Sequence, residues 1–282
     1  MDPYIGVEER FVAFAGGEPR IAAVVVIGSR ARDDRPADAY SDLDILLVVE
    51  DPAFFLETDD WLWQIGEFHI SFVEETIGGA KERRVLFDDA LDVDFVLLPE
   101  AEAWSALRSA EAIGILQRGY RVLVDKRGFF ALLPGMSIRP SAATLPDEAE
   151  FLNNINDFWY HAVWTAKKLL RGEVWMAISC LDCYMKHKLL WMIEQHARAT
   201  HGPQRDTWFA GRFLDTWADD ATKDALRHAF ARYETQDIKR ALFETMDLFR
   251  SLAVESTEKL GFCYPCKADR VATQWVIGAL YE

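Results

Sequence analysis

The chain has 282 residues, enough for two domains of ordinary size, and its half-hydrophobic composition with 27% charged residues is that of a globular protein. Its formal net charge of -15 argues against a nucleic-acid partner, which needs a basic face to neutralise phosphates, and favours a cationic ligand. No run of eighteen uninterrupted apolar residues occurs and Met1-Asp2-Pro3 opens acidic rather than basic, so no membrane span and no signal peptide are expected and the default location is cytoplasmic.

In chain order, the apolar run Ile21–Ile27 reads as a buried strand and Gly28-Ser29 as the turn that ends it. Residues 42–50 read as the next strand, apolar over 45–49. Side chains at i and i+2 of a strand share a face, so Asp42 and Asp44 project together from its first residues. Two neighbouring carboxylates repel each other, and a hard divalent cation such as Mg²⁺ relieves that repulsion. A Gly-Ser turn opposite them offers backbone N–H groups and a hydroxyl at short range, which suits a phosphate oxygen. The stretch is neither a P-loop nor a Gly-x-Gly-x-x-Gly dinucleotide turn. Further strand-like runs at 69–73, 93–98 and 121–124, with helical stretches such as 101–113 between them, predict a mixed sheet packed by helices.

Segment 132–146 contains Pro134, Gly135, Pro140 and Pro146, cannot hold a long helix and reads as a linker between domains 1–135 and 147–282. Beyond it the pattern turns helical over 147–171, 173–199, a middle piece at 208–217, 219–233 and 238–260. Asp147 reads as a helix N-cap followed by the first-turn acid Glu150, and Gly172 separates the first two helices. Phe151, Phe158, Ala162, Thr165 and Leu169 keep a helical spacing and define a core face; Trp159, Trp164, Trp175 and Trp191 are read as core packing. The fold class is therefore α+β, an N-terminal mixed β-sheet with flanking helices followed by a C-terminal α-helical bundle. Cys180/Cys183 and Cys263/Cys266 have the ligand count of a tetrahedral zinc site, but the first pair lies in a helical pattern and the second in a loop pattern, and buried or incidental thiols are the expectation. The six histidines form no i, i+4 pair of metal-site type.

Three blocks carry a family resemblance. Ile27-Gly28-Ser29-Arg30-Ala31 with Ser41-Asp42-Leu43-Asp44-Ile45 resembles the nucleotidyltransferase superfamily. Asp92-Val93-Asp94-Phe95-Val96 resembles the strand that carries that family's third carboxylate, with Asp94 at the position and Asp92 as its neighbour and rival. Asn156-Asp157-Phe158-Trp159-Tyr160 through Ala166-Lys167-Lys168-Leu169-Leu170-Arg171 is similar to a helical segment of the aminoglycoside 6-adenylyltransferases, the streptomycin-modifying branch. A weaker match lies over 261–265. The resemblance reaches from about residue 20 to the C-terminus.

The resemblance implies an Mg-dependent transfer of AMP from ATP to a hydroxyl of an aminoglycoside, with pyrophosphate released and the antibiotic inactivated. Asp42 and Asp44 would hold the metal, and Asp94 would complete the site or take the hydroxyl proton. Gly28 and Ser29 would face the phosphates. Arg30, nearer the turn than Arg32, is the preferred phosphate clamp, and Lys167, about 100° around its helix from Lys168, the cation for the triphosphate. Asp157, Asp182 and Glu194 are candidate partners for the acceptor's ammonium groups. The alternatives are a nucleotidyltransferase-like protein that modifies or binds a protein partner, antitoxin-like, and an adenylyltransferase for a lincosamide or other hydroxylated metabolite. The full acidic triad favours catalysis over a degenerate binder.

Overall fold

A sheet whose central strands are buried on both faces builds the N-terminal part of this computed structural model, which describes residues 2–76, 79–131 and 145–281. The chain divides into two compact units, Met1–Ser141 and Ala142–Glu282. Most of the expected linker, 132–144, lies outside the described residues. Strands β1 (Ile21–Ile27), β2 (Leu43–Val49), β3 (Phe68–Glu75), β4 (Lys81–Phe87), β5 (Asp92–Pro99) and β6 (Arg121–Asp125) form one mixed sheet in the order β3-β4-β5-β2-β1-β6. All neighbours are antiparallel except β2 and β5, which run parallel.

Successive strand side chains point to opposite faces, and here each face has its own cover. Leu43, Ile45, Leu47, Val93, Phe95 and Leu97 pack against Phe11 of α1 (Ile5–Gly17), Phe55 of α2 (Pro52–Glu57) and Trp61. On the other face Val25 and Val48 meet Ala103 of α3 (Glu100–Ala106) and Leu116 of α4 (Ala110–Leu116). The alternation assigns Asp44 and Asp94 to this second face, the one that carries Val48 and Leu98 further along the strands.

The helix expected over 101–113 is two short helices, because Ser109 starts a new one: its Oγ accepts from Ala112 N at 3.1 Å. Helix α1 and strand β4 have no counterpart in the sequence reading. The charged start Lys81-Glu82-Arg83-Arg84 masks β4, yet Arg83 is buried, donating to the Phe55 carbonyl at 2.8 Å and to Ser71 Oγ at 2.6 Å.

The second unit is helical: α5 (Glu148–Leu170), α6 (Val174–Ser179), a π-helical turn (Cys180–Met185), α7 (Lys186–His201), α8 (Leu214–Trp217), α9 (Asp220–Ala229), α10 (Thr235–Leu260) and α11 (Cys266–Tyr281). Asp147 caps α5, its Oδ1 accepting from Glu150 N at 2.8 Å, and Gly172, at φ +73°, follows the helix end. Phe151, Phe158, Ala162 and Leu169 do line the core, where Phe158 stacks on Phe249.

Several expectations need correction. The helix predicted over 173–199 is interrupted by the π-helical turn, and the middle piece 208–217 is helical only in α8. Trp175 is 70% exposed, because α6 buries Ala177 and turns its indole outward. Cys266 opens α11 instead of lying in a loop, and all four cysteines are free. Among the described residues no helix is long and apolar enough to cross a membrane.

Candidate active site

The parallel register of β2 and β5 sets Asp44 directly beside Asp94, and Asp42 precedes β2 by one residue. One carboxylate oxygen from each of the three lies within 4.8 Å of the others. Among the described residues this is the only such group of three or more His, Cys, Asp or Glu side chains, so the two cysteine pairs do not meet as a zinc site there. Asp94 is 5% exposed. Its rival Asp92 stands outside the trio, with Oδ1 accepting from the Tyr4 hydroxyl at 2.9 Å.

The antiparallel register of β1 and β2 pairs Ile27 with Asp44, so the tight turn Gly28–Ala31 begins against the carboxylates. Gly28 has φ +69°, and a Cβ there would stand 2.0 Å from Asp44 Oδ2. Only glycine fits both the backbone and the space. The neighbouring Ser29 Oγ is buried with no hydrogen-bond partner. A buried unpaired hydroxyl costs free energy unless something completes it, and a phosphate oxygen is a fitting acceptor. Three clustered carboxylates supply the all-oxygen donor set of a hard divalent cation, so the residues present fit Mg²⁺.

Two arginines bond to this group. Arg30, whose side chain is only 4% exposed, donates through Nε to the Asp42 carbonyl at 2.9 Å and through Nη2 to the Ser41 carbonyl at 2.7 Å. Its Nη1 pairs with the Asp2 carboxylate at 2.8 Å, and its guanidinium lies 3.7 Å over the Tyr4 ring. Arg30 is thus engaged with the loop that carries Asp42. From β4, directly opposite Asp94, Arg84 donates to Asp94 Oδ2 through Nε at 2.9 Å and Nη2 at 2.5 Å. The same guanidinium also lies 3.1 Å from Glu74 and 3.6 Å from Glu82. Burial, reinforced by the Asp94 charge, pushes the Glu82 carboxyl above the ordinary range.

The remaining expected residues belong to the helical unit. Asp157 accepts from Tyr184 at 2.9 Å, and its ion pairs with Lys188 and His161 are both 2.7 Å long. Burial opposes its ionisation, but the bonds from Lys188 and Tyr184 outweigh it and hold the carboxyl below the usual range. Asp182 accepts from Ala231 N at 3.2 Å and pairs with the buried Lys186 at 3.3 Å. Lys167 is exposed, with Nζ 5.2 Å over the Trp275 ring. Glu194 is the least satisfied: Arg198, 4.0 Å away, is its one ion-pair partner among the described residues, and burial pushes its carboxyl up to about 7.

Sequence reasoning missed Arg84 and Tyr4. Arg84 was detectable only through the alternation of Arg83, Val85 and Phe87, the buried face of β4, which puts Arg84 on the carboxylate side. Tyr4 carried no local signal, since its partners are 26 and 88 residues away in Arg30 and Asp92.

Comparison with known proteins places the chain in a family. A family model described as streptomycin adenylyltransferase matches residues 6–278. The aminoglycoside 6-adenylyltransferase of Bacillus subtilis (strain 168) is 26% identical over 262 residues, 90% of each chain. The enzyme of the same name from Campylobacter jejuni is 24% identical over 270 residues, 92% of this chain and 90% of that protein. A crystal structure of an aminoglycoside 6-adenyltransferase from Bacillus subtilis aligns over 98% of both chains at 22% identity, with a TM-score of 0.47. With the family model spanning nearly its whole length, the chain belongs to the streptomycin adenylyltransferase family, and so to the nucleotidyltransferase enzymes.

Proposed function

We propose that this enzyme transfers AMP from ATP to a hydroxyl of a streptomycin-like aminoglycoside, releasing pyrophosphate and inactivating the antibiotic. The observation that carries the reading is the trio Asp42, Asp44 and Asp94 set against the Gly28-Ser29 turn. Mg²⁺ held by Asp42 and Asp44 would draw charge from the phosphoryl oxygens and so ease in-line attack at the α-phosphorus.

The chain's own residues do the rest. Gly28 lets the turn backbone approach without a side chain in the way, and the Ser29 hydroxyl donates to a phosphate oxygen. Arg30 acts through Asp42, whose carbonyl it holds, and Arg84 fixes one oxygen of Asp94 while balancing its charge. Asp94 then either ligates the metal or takes the acceptor's hydroxyl proton, since both roles need a carboxylate at this position. A cytoplasmic location belongs to the same proposal, because ATP is available there. The test is pyrophosphate release from ATP and Mg²⁺ across streptomycin, other aminoglycosides, lincomycin and no acceptor. Release that depends on streptomycin supports the reading; release with lincomycin alone, or none with any acceptor, contradicts it.

A further inference from the structure

Asp44 and Asp94 take their spacing from the sheet, and Asp42 does not. The parallel ladder of β2 and β5 opens with Leu43 beside Val93, and its next pair is Asp44 beside Asp94. Asp42 lies one residue before that opening. The β1–β2 ladder does not reach it either, since its pairing stops at Ile27 and Asp44. A reacting centre has to hold its groups to within about 0.5 Å, so something outside the two ladders must fix Asp42.

One side chain outside the sheet connects to both strand starts. Tyr4, immediately before α1, is 2% exposed. Its hydroxyl donates to Asp92 Oδ1 at 2.9 Å and accepts from Asp92 N at 3.2 Å, so it grips the first residue of β5, two before Asp94. Its ring centre lies 3.7 Å from the Arg30 guanidinium carbon, a cation–π contact. Asp2 binds the same two residues together, accepting from Tyr4 N at 3.0 Å and from Arg30 Nη1 at 2.8 Å. Arg30 in turn spans the Ser41 and Asp42 carbonyls. The contacts Asp92–Tyr4–Arg30–Asp42 therefore join the starts of the two parallel strands where their ladder has not yet begun. Core packing explains the ring of Tyr4, which phenylalanine would supply as well. It does not explain a hydroxyl bonded in both directions to one residue 88 positions away.

We propose that Tyr4 is a positioning residue: with its hydroxyl on Asp92 and its ring against Arg30, it sets the distance of Asp42 from Asp94. It acts through those two neighbours, not on the substrate. The proposal rests on the reading of Asp42, Asp44 and Asp94 as a metal-dependent reacting centre.

The test is calorimetric titration of the full chain with α,β-methylene ATP, metal-free and as its Mn²⁺ complex, with melting temperature, kcat and KM measured alongside. The ratio of the two affinities reads the metal bridge without any turnover. Wild type, Tyr4→Phe and Tyr4→Leu are compared, each with and without Arg30→Ala. Tyr4→Phe keeps the ring and loses the hydroxyl, and is expected to lower the metal-dependent gain about threefold; Tyr4→Leu loses both and lowers it about tenfold or more. Affinity for the metal-free analogue stays within about twofold, and kcat falls in the same order as the gain. Because Tyr4 and Arg30 act in one chain of contacts, Arg30→Ala adds less than about twofold to the loss already present in Tyr4→Leu. Tyr4→Phe preserves the core and decides the matter should Tyr4→Leu fail to fold. A Tyr4→Phe variant with wild-type metal gain and kcat, or an Arg30→Ala effect of equal size in both backgrounds, overturns the proposal. So does a lowered melting temperature with the metal gain unchanged. A gain that is lost in Asp42→Asn but kept in both Tyr4 variants leaves the metal-dependent centre standing and contradicts the role of Tyr4. No Mn²⁺-dependent gain in wild type contradicts the centre itself.

Discussion

A Cβ on Gly28 would lie 2.0 Å from Oδ2 of Asp44, so the turn after β1 and the first carboxylate of β2 share a space that admits no side chain. The φ of +69° at Gly28 adds a second reason for glycine there. Gly28→Ala is therefore expected to displace Asp44 and to cost on the order of 1–2 kcal/mol of stability from backbone strain. A shift of an ångström at a reacting group is worth about a hundredfold in rate. Comparing kcat/KM and melting temperature for wild type and variant checks this. An active variant would show that the turn and Asp44 need not approach so closely.

Arg84 is expected to matter through Asp94. Breaking a pair whose acid is buried leaves a carboxylate uncompensated next to Glu82, but Arg84 itself is 41% exposed, so the stability cost should stay near 1 kcal/mol. Turnover should fall further, about tenfold or more for Arg84→Ala, with partial recovery in Arg84→Lys. Steady-state kinetics on both variants would reveal this as a drop in kcat with little change in the KM for ATP.

Arg30 offers a different readout. Its bonds go to the carbonyls of Ser41 and Asp42, so Arg30→Ala frees the loop that presents Asp42. The expected result is a higher Mg²⁺ concentration for half-maximal turnover, with Arg30→Lys intermediate because one ammonium cannot span both carbonyls and Asp2. If Arg30 instead clamps the triphosphate directly, the KM for ATP rises and the Mg²⁺ requirement does not.

Glu194 predicts a pH dependence of stability. Burial raises its carboxyl from 4.5 in the unfolded chain to about 7 in the folded one, against the opposing charge of Arg198. Between those values the native state holds a proton that the unfolded chain has released. Stability present below pH 4.5 is therefore lost as pH rises toward about 7. The melting temperature of Glu194→Gln relative to wild type should be lowest near pH 4.5 and climb until about pH 7, where it levels. Parallel thermal melts from pH 4.5 to 8 would show it, and a flat difference would contradict it.

How much of this was legible in the sequence follows from the range of the interactions. β1, β2 and β5 could be read because burial on both faces makes near-continuous apolar runs, and the Asp147 cap because its partner is three residues away. β4 was illegible because Arg83 occupies a core position that only the carbonyl of Phe55 and the hydroxyl of Ser71 make tolerable. The resemblance put Asp94 ahead of Asp92, but its place directly beside Asp44 follows from the β2–β5 register, which no local pattern encodes. The weak tail match over 261–265 has a structural explanation. Tyr264 donates to Asp269 at 2.9 Å and accepts from Trp159 at 3.2 Å, tying α11 to α5, while Gly261 ends α10 at φ +74°. Arg30 was visible as a residue, but its engagement with Asp2, Ser41 and Asp42 was not.

The most direct test of the central claim, that Asp42, Asp44 and Asp94 form the reacting centre, is streptomycin-dependent pyrophosphate release by Asp44→Asn beside wild type. Circular dichroism and thermal melting would be recorded on both. Replacing one carboxylate oxygen by an amide keeps the shape and removes the charge that holds the metal. The account predicts a native-like fold with turnover reduced at least about a thousandfold. Near-normal turnover in a folded variant would contradict it.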